Sequence, residues 1–328
     1  MKAIVQNAYG SPEVLEFREV DRPSFGDSDV LVRVHAASVH AGDYFILKGV
    51  PYLARFAAGW PKPKGYIPGF DVAGTVEAVG KDVTLYRPGD EVFGECGGGA
   101  CAEYVCAAAD RFVLKPDRLT FEQAAAVPVS ALAALQGLRD AGKVRPGQKV
   151  LINGASGGVG TYAVQIAKTL GAEVTGVCST KNVDMVRSIG ADHVVDYTQE
   201  DFTRTGLRYD LILDNVANRS FSDCKRALSP EGKIVPNSGN AGIGYLAKAF
   251  VRSLFVRQQS RPFLSMPNQA DLQVLKGLIE AGKLTPVIDR TFSLNETAEA
   301  LRLIGGGHAR GKVVIVVWPS GTAGASDA

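Results

Sequence analysis

The pattern of apolar and polar positions changes twice along the chain. Up to about residue 120, β-branched residues alternate with small ones, as in DVLVRVHAASVH and FDVAGTVEAVG, which is typical of strands. From there short apolar strands alternate with amphipathic helices, which predicts βαβ units and a parallel sheet covered on both faces. The last part returns to a mixed pattern and closes with the apolar strand GKVVIVVW. We therefore expect three segments, 1–122, 123–266 and 267–328, with the last folding back on the first.

One glycine-rich turn predicts what the central segment binds. The residues NGASGGVG follow the strand KVLI and precede a helix whose apolar positions fall on one face. Glycine permits the tight turn, the approach of backbone to a pyrophosphate, and close packing of helix against strand. The helix N-terminus adds free N–H groups and the positive end of a dipole. We expect a dinucleotide to contact six consecutive residues, Gly154, Ala155, Ser156, Gly157, Gly158 and Val159.

The end of the next strand, EVTGVC, predicts which dinucleotide binds. An NAD site usually has Asp or Glu about 20 residues after the glycine loop, where it binds both ribose hydroxyls. This chain has Ser179, Thr180, Lys181 and Asn182 there, with no acid. A cation at the start of a helix, as we expect for Lys181, is disfavoured by about 0.3–1 kcal/mol unless an anion lies nearby. A 2′-phosphate is such an anion, so we expect NADPH, held by Ser179, Lys181 and Asn182. The alternative is that Ser179 caps the helix and Lys181 is a solvated side chain.

Composition and charge exclude several classes of function. The 328 residues include 36 Lys and Arg against 34 Asp and Glu, a net charge of +2, with no basic run that would bind nucleic acid. The sequence has no run of 18 apolar residues, so we expect no transmembrane helix. Met1 leads directly into an alternating strand, so we expect no targeting segment. Five cysteines in a long chain are typical of reduced thiols. We expect a cytoplasmic enzyme with a small-molecule substrate, acting as a homodimer.

Seven stretches in a fixed order resemble the medium-chain dehydrogenase/reductase superfamily, in its zinc-free, quinone oxidoreductase-like branch. They spread from Gly10 to Ile315: GSPEVLEFREV, PGFDVAGTVEAVG, RPGDEVFG, AAAVPVSALAALQGL, GASGGVGTYAVQIAKTLGAEVTGV, LIEAGKLTPVIDRTF and GHARGKVVI. The resemblance implies an α/β fold with a GroES-like β-barrel catalytic domain over 1–122. It implies a doubly wound Rossmann domain for NADPH over 123–266, and a return segment, 267–328, that completes the catalytic domain.

The positions that bind zinc in other branches of the superfamily predict that this chain holds no metal. Zinc-dependent relatives have a Cys in the loop matching VHAGD, a GHE matching GFD, and a further Cys near VPVSAL. This chain has His40 in the first place, GFD in the second and no Cys within 127–132. Catalytic zinc needs three protein ligands. Cys96, Cys101 and Cys106 are spaced by five, and on a strand they would alternate between faces, which favours packing over chelation.

Without a metal to polarise a carbonyl, hydride transfer favours a conjugated acceptor, which indicates quinones or α,β-unsaturated carbonyls. In the loop VHAGDYF, similar to the family's NPxD segment, Tyr44 is the candidate catalytic donor to the acceptor oxygen. A phenol stays protonated at neutral pH and can donate. The alternative is that Tyr44 only forms an aromatic wall. His40 stands where the family usually has Asn and is the second candidate catalytic residue.

The resemblance implies further cofactor contacts at single positions. From the adenosine end to the nicotinamide ribose they are Tyr197, Asn215, Val216, Ser238 and Gly239. Relatives usually have Thr where Ala133 stands, and we expect Ser130 to substitute for it.

Three other functions stay open beside an NADPH-dependent quinone or enone reductase. A zinc-independent alcohol dehydrogenase would oxidise simple alcohols with NADP. An enoyl-thioester reductase would need a long basic groove for a carrier phosphopantetheine. An NADPH-binding protein with little catalysis is slightly favoured by Ala133 and by the replacement of Asn with His40.

The segment 245–261 is basic and amphipathic, with Lys248 and Arg252 four residues apart. Such character is found in helices that bind membrane surfaces. We expect an active-site lid or a subunit contact instead of peripheral membrane binding.

Overall fold

The structure is a computed structural model that describes residues 1–50, 52, 55, 59–237, 263–307 and 309–318. The chain divides into two units. The first comprises Met1–Val129, Pro267–Glu280 and Pro286–Ala328, and the second comprises Ser130–Met266 and Ala281–Thr285. No helix in these ranges is long and apolar enough to cross a membrane.

The regular elements are numbered in chain order. The strands are β1 (Lys2–Gln6), β2 (Leu15–Glu19), β3 (Asp29–Val39), β4 (Asp71–Val79), β5 (Glu91–Glu95), β6 (Tyr104–Ala108), β7 (Phe112–Leu114), β8 (Lys149–Asn153), β9 (Glu173–Cys178), β10 (His193–Asp196), β11 (Tyr209–Asp214), β12 (Leu228–Pro236), β13 (Ile288–Ser293) and β14 (Lys312–Val316). The helices are α1 (Ala41–Lys48), α2 (Phe121–Ala125), α3 (Pro128–Gln136), α4 (Gly158–Thr169), α5 (Val183–Ser188), α6 (Phe221–Arg226), α7 (Gln269–Glu280) and α8 (Thr297–Gly305).

The first unit is built on a mainly antiparallel sheet. Its strands lie in the order β13-β14-β3-β4-β5-β7, with β6 also paired to β3, and a separate hairpin joins β1 to β2. Strand β3 is buried along most of its length because it pairs with β14, β4 and β6. The closing strand β14 lies between β13 and β3, which explains why its sequence is apolar after Lys312. The return of the last segment onto the first is therefore a strand pairing within one sheet.

The second unit is a five-stranded parallel sheet in the order β10-β9-β8-β11-β12. Helices α4, α5 and α6 connect successive strands, as the alternating pattern predicts. The pairing aligns Asn153 with Val177 and with Asp214, so the carboxyl ends of β8, β9 and β11 meet at one edge. The strand order reverses between β8 and β11. Open α/β sheets bind ligands outside the carboxyl ends of the strands at such a switch point.

Helix α4 differs from the sequence prediction. The pattern predicts one apolar face, but every residue from Gly160 to Ala167 is buried. The segment 281–285, distant in sequence, contacts one of these residues: Gln165 Nε2 donates to the Thr285 carbonyl at 3.0 Å, and its Oε1 accepts from the Thr285 N–H at 2.8 Å. A local pattern does not reveal that a distant segment contacts the polar side of a helix.

Candidate cofactor and active site

The glycine-rich turn adopts the predicted strand–turn–helix geometry. Gly154 follows β8 with φ of +80°, a backbone conformation that favours glycine. The Ala155 N–H donates to the Val177 carbonyl at 2.9 Å, which ties the turn to β9. A Cβ atom at Gly160 would overlap the Gly154 carbonyl oxygen and lie 2.8 Å from Ala155, so the close packing of helix against turn requires glycine there.

Gly157 is different, because the protein itself leaves room for a side chain there. Its φ is −84°, and the nearest atom to an added Cβ would be the Gly154 carbonyl oxygen at 3.5 Å. Gly157 is the N-cap of α4, and no side chain within the described part of the chain caps this helix. The first-turn N–H groups are therefore available to a ligand. An open surface without a Cβ, next to uncapped N–H groups, fits the pyrophosphate of a dinucleotide.

Three predicted cofactor residues meet at the carboxyl end of β9. Asn182 is 6% exposed, and its Nδ2 donates to Ser156 Oγ at 3.1 Å and to Ser179 Oγ at 3.3 Å. Its Oδ1 is buried and has no hydrogen-bond partner among the residues that the structure describes. Lys181 is exposed in the 3₁₀ turn Thr180–Asn182, which directly precedes α5, instead of in the first turn of that helix. The structure thus brings the two serines together through the Asn182 amide.

An acidic residue near this cluster escaped the sequence analysis. Asp196 ends β10 and pairs in register with Cys178. Its carboxylate accepts from Thr180 Oγ1 at 2.6 Å, Thr198 Oγ1 at 2.8 Å and the Thr198 N–H at 3.0 Å. The hydrogen bond from Thr180 is the largest of the effects that lower the pKa of Asp196. The sequence signal was an Asp closing the strand HVVD, one strand beyond the position at which an acid is usually sought. Tyr197, the next residue, is 51% exposed.

A chain of amides joins the carboxyl ends of β8, β11 and β12. Asn153 Nδ2 donates to Asp214 Oδ1 at 2.8 Å, and Asn215 Nδ2 donates to the Asn153 carbonyl at 3.1 Å. Asn237 Nδ2 in turn donates to Asn215 Oδ1 at 2.9 Å. The predicted residue Asn215 is therefore held in place by the Asn153 carbonyl and by the Asn237 side chain, which the sequence analysis did not name. Val216, beside it, is 36% exposed.

The remaining predicted cofactor residues have separate positions. Ser130 lies in the first turn of α3 and is 2% exposed, and Ala133 lies on the same helix. Ser238, Gly239 and the basic segment 245–261 lie outside the described residues.

In the first unit, the prediction that VHAGDYF forms a loop is wrong. Its residues form the start of helix α1, with His40 as the N-cap. His40 Nδ1 accepts from the Gly42 N–H at 2.9 Å, and the Asp43 carboxylate accepts from the His40 N–H at 2.9 Å. This reciprocal cap stabilises a helix that its Gly and aromatic residues would disfavour. Burial raises the pKa of Asp43, although contact with His40 opposes that shift.

The His40 side chain holds an unused polar atom. A neutral imidazole that accepts at Nδ1 carries its proton on Nε2. Nε2 is buried and has no partner among the described residues. The ring stacks on Phe70 at a centroid distance of 5.4 Å. A buried donor without an acceptor requires an explanation, and one explanation is a role in catalysis.

The Tyr44 side chain is packed against another helix of the same unit. A Cβ at Gly305 of α8 would overlap the Tyr44 ring and lie 2.8 Å from its hydroxyl oxygen. Tyr44 also packs against the buried core of the first unit. This position favours the alternative in which Tyr44 is an aromatic wall.

A buried ion pair at the start of β4 was missed by the sequence analysis. Asp71 is 0% exposed and Lys312 is 1% exposed, with Lys312 Nζ 2.9 Å from Asp71 Oδ2. Ser38 Oγ donates to the same oxygen at 2.9 Å, and the Val129 N–H in α3 donates to Asp71 Oδ1 at 2.8 Å. The only signal in the sequence was a single Lys at the start of an otherwise apolar strand. The pair connects three strands and the first turn of α3.

The cysteines are not arranged along one strand, so the prediction that they alternate between strand faces is wrong. Cys96 follows β5, Cys101 lies in a loop, and only Cys106 lies on β6. Burial raises the pKa of Cys96 to about 12. In the part of the chain that the structure describes, no group of three or more His, Cys, Asp or Glu residues could hold a metal ion.

Comparisons with known proteins cover nearly the whole chain. A family described as alcohol dehydrogenase GroES-like domain matches residues 26–117, and one described as zinc-binding dehydrogenase matches residues 189–315. The chloroplastic quinone-oxidoreductase QR1 of Triphysaria versicolor is 33% identical, over 96% of this chain and 98% of the relative. A mitochondrial NAD(P)H oxidoreductase of Mus musculus is 34% identical, over 97% of this chain and 89% of the relative.

A solved structure of a quinone oxidoreductase has a similar fold. The quinone oxidoreductase from Coxiella burnetii superimposes with a TM-score of 0.86 at 33% identity, over 97% of this chain and 99% of that one. The predicted α/β fold, with a GroES-like domain and a parallel-sheet Rossmann domain, is thereby confirmed.

Proposed function

The chain belongs to the medium-chain dehydrogenase/reductase superfamily, in its zinc-free quinone oxidoreductase-like branch, and on this premise we propose that it is a metal-free, NADPH-dependent reductase of quinones or α,β-unsaturated carbonyls. Its relatives support an NAD(P)H-dependent oxidoreductase. The preference for NADPH and the class of acceptor are our proposal. The observation that carries it is the cluster of hydroxyls and an amide, with Lys181 beside it, where an NAD site would place an acid.

The residues present fit the cofactor. The uncapped N-terminus of α4 and the open surface at Gly157 would hold the pyrophosphate. Ser156, Ser179 and Lys181 would hold the 2′-phosphate, because all three can donate to it and Lys181 also carries a charge. When bound, NADPH supplies the hydride.

Lys181→Ala should weaken NADPH binding by about 10- to 150-fold, because a charge-assisted phosphate contact is worth roughly 1.5–3 kcal/mol. NADH, which lacks the 2′-phosphate, should bind the variant and the parent protein equally. Fluorescence titration of both dinucleotides measures this. Lys143→Ala, which removes a lysine from another turn of the second unit, is the matched control and should change neither dissociation constant. Equal affinities of the parent protein for NADPH and NADH would contradict the proposed cofactor.

The acceptor oxygen gains negative charge as hydride reaches a conjugated carbon, so a hydrogen-bond donor at that oxygen accelerates the reaction. His40 fits this role better than Tyr44. Its Nε2–H has no acceptor in the described structure and is shielded from water, whereas the Tyr44 hydroxyl lies against α8. Donors act more strongly in a low dielectric than in water. We assign His40 as the donor and Tyr44 as part of the wall.

His40→Ser should slow reduction of an enone by about 10²- to 10³-fold, the usual cost of losing one such donor. Serine keeps the N-cap of α1 but cannot reach the position of Nε2. His40→Asn retains a cap and carries an N–H donor that ends closer to the position of Nε2 than a serine hydroxyl does, so it should lose less activity than His40→Ser. The measurement is the single-turnover rate with NADPH deuterated at the transferable position, and the deuterium should appear on the β-carbon of the enone.

Tyr44→Phe is the matched variant one helical turn away and should leave that rate within about threefold of the parent. If Tyr44→Phe reduced the enone much more slowly than the parent protein while His40→Ser kept the parent rate, the donor would be Tyr44 instead of His40. Faster reduction of the corresponding saturated ketone than of the enone would refute the proposed acceptor class and favour a zinc-independent alcohol dehydrogenase.

A further inference from the structure

The side-chain amide of Asn182 lies between the two serines of the cofactor cluster and uses both of its hydrogens on them. Nδ2 donates to Ser156 Oγ at 3.1 Å and to Ser179 Oγ at 3.3 Å. We propose that Asn182 is a specificity-determining positioning residue that orients both hydroxyls as donors toward an anion. The inference rests on the proposed function, in which this anion is the 2′-phosphate of NADPH.

The orientation of both hydroxyls follows from the donor and acceptor capacity of each group. A hydroxyl has one hydrogen and two lone pairs, and an amide nitrogen has two hydrogens and accepts nothing. Each serine therefore spends a lone pair on Asn182 and cannot direct its own hydrogen at that nitrogen. Neither hydroxyl donates to an acceptor among the described residues, and both side chains are only half-buried. Both hydrogens are free to point at a ligand.

A phosphate dianion and a ribose diol respond differently to such a pair. Phosphate oxygens only accept, so two donors match them, whereas a ribose hydroxyl also brings a hydrogen that needs an acceptor. The reverse orientation of the amide would place Oδ1 on the serines. The serines would then spend their hydrogens on Asn182 and present lone pairs, which suits the diol of NADH. In the structure Oδ1 is instead the atom left buried without a partner within the described ranges. The amide orientation thus selects for the phosphorylated dinucleotide.

Asn182 also differs from Lys181 in what it contributes. Lys181 is an exposed, flexible cation that attracts any phosphate, whereas Asn182 is 6% exposed and fixed by two hydrogen bonds. A fixed neutral group adds direction instead of charge. The two residues should therefore affect NADPH binding independently.

Asn182→Asp keeps the shape of the side chain and reverses its polarity. The carboxylate would accept both serine hydrogens and add a negative charge, so the dissociation constant of NADPH should rise by about 30-fold or more. The dissociation constant of NADH should change by less than about threefold, because its diol can donate to the serine lone pairs. Asn182→Ala leaves the hydroxyls free to rotate and should fall between the parent and Asn182→Asp. Both constants are measured by nicotinamide fluorescence.

Ser188→Asp controls for the added charge, because Ser188 is exposed at the end of α5 and its hydroxyl donates to the Met185 carbonyl, away from the serine cluster. It should leave the ratio of the NADH to the NADPH dissociation constant unchanged. A parent protein without preference for NADPH would overturn the proposed cofactor and this inference with it. A parent that prefers NADPH, with the same preference in Asn182→Asp, would overturn only the role of Asn182. If Asn182→Asp raised the dissociation constants of NADPH and NADH by the same factor, Asn182 would have a structural role, and the inference would again be overturned.

Discussion

Lys312→Met should lower the free energy of unfolding by about 3–5 kcal/mol, the usual cost of removing one partner from a buried ion pair. Asp71 and Lys312 are both almost completely buried, and their charged atoms are 2.9 Å apart. Methionine fills a similar volume, but among the described residues it leaves the Asp71 carboxylate with the Ser38 hydroxyl and the Val129 N–H as its donors. Urea unfolding followed by circular dichroism measures the change.

Two further variants isolate the uncompensated charge. Lys312→Met combined with Asp71→Asn removes both charges and should recover more than half of the lost stability, since a buried pair contributes little net stability as a whole. Lys81→Met breaks a surface pair with Asp27, whose atoms are 2.8 Å apart with side chains 72% and 61% exposed, and should cost less than about 1 kcal/mol. If Lys312→Met and Lys81→Met lowered the free energy of unfolding equally, burial of the ion pair would have no effect on its contribution to stability.

Gly160→Ala should reduce NADPH affinity by more than about 1000-fold, or about 4 kcal/mol. The added methyl group would overlap the Gly154 carbonyl oxygen and the Ala155 backbone, and these are rigid atoms that cannot move aside without opening the turn. The N–H groups at the start of α4 would then no longer converge on one site. We expect the same variant to unfold more easily, because α4 is buried along most of its length. Titration with NADPH and thermal unfolding measure the two effects.

Gly157→Ala is the matched control, three residues earlier in the same turn. Within the described ranges its methyl group would have one neighbour, the Gly154 carbonyl oxygen at 3.5 Å, so the unfolding temperature should not change. NADPH binding should still weaken, because the methyl group would occupy the surface on which the pyrophosphate is expected to lie. A Gly157→Ala protein with unchanged NADPH affinity would place the pyrophosphate elsewhere, while a stable Gly160→Ala protein that binds NADPH would contradict the close packing.

The fold class could be predicted from the sequence because its signals are local. Period-two alternation before residue 120 and alternating strands and helices after it are set by neighbouring residues. The prediction failed where stabilisation comes from elsewhere. The segment VHAGDYF was predicted as a loop from its similarity to the family's NPxD segment, but Ala41–Lys48 is a helix whose N-terminus is capped by His40 and Asp43. The apolar positions of helix α4 were predicted to fall on one face, but Gln165, away from that face, is also buried and is hydrogen-bonded to Thr285.

The candidate cofactor site could be predicted in part for the same reason. The glycine loop and the acid-free segment after β9 can each be read from a few contiguous residues. The structure brings Ser156, Ser179 and Asn182 from these two segments into one cluster. Asp196 and Asn237 were not predicted, because they reach the site from other strands of the sheet. Only the register of the strands brings their side chains to the same edge.

Contiguous residues set the order of the elements, the turn at which a dinucleotide would bind and the residue types available to hold it. The tertiary fold sets how those residues are used. It paired Asp71 with Lys312 across 241 positions of the chain, left Nε2 of His40 without an acceptor in the described part of the chain, and directed the hydrogens of Asn182 at two serines. Hydrogen-bond direction and burial depend on which distant groups are brought together. A sequence pattern records the residue types but not their neighbours in space.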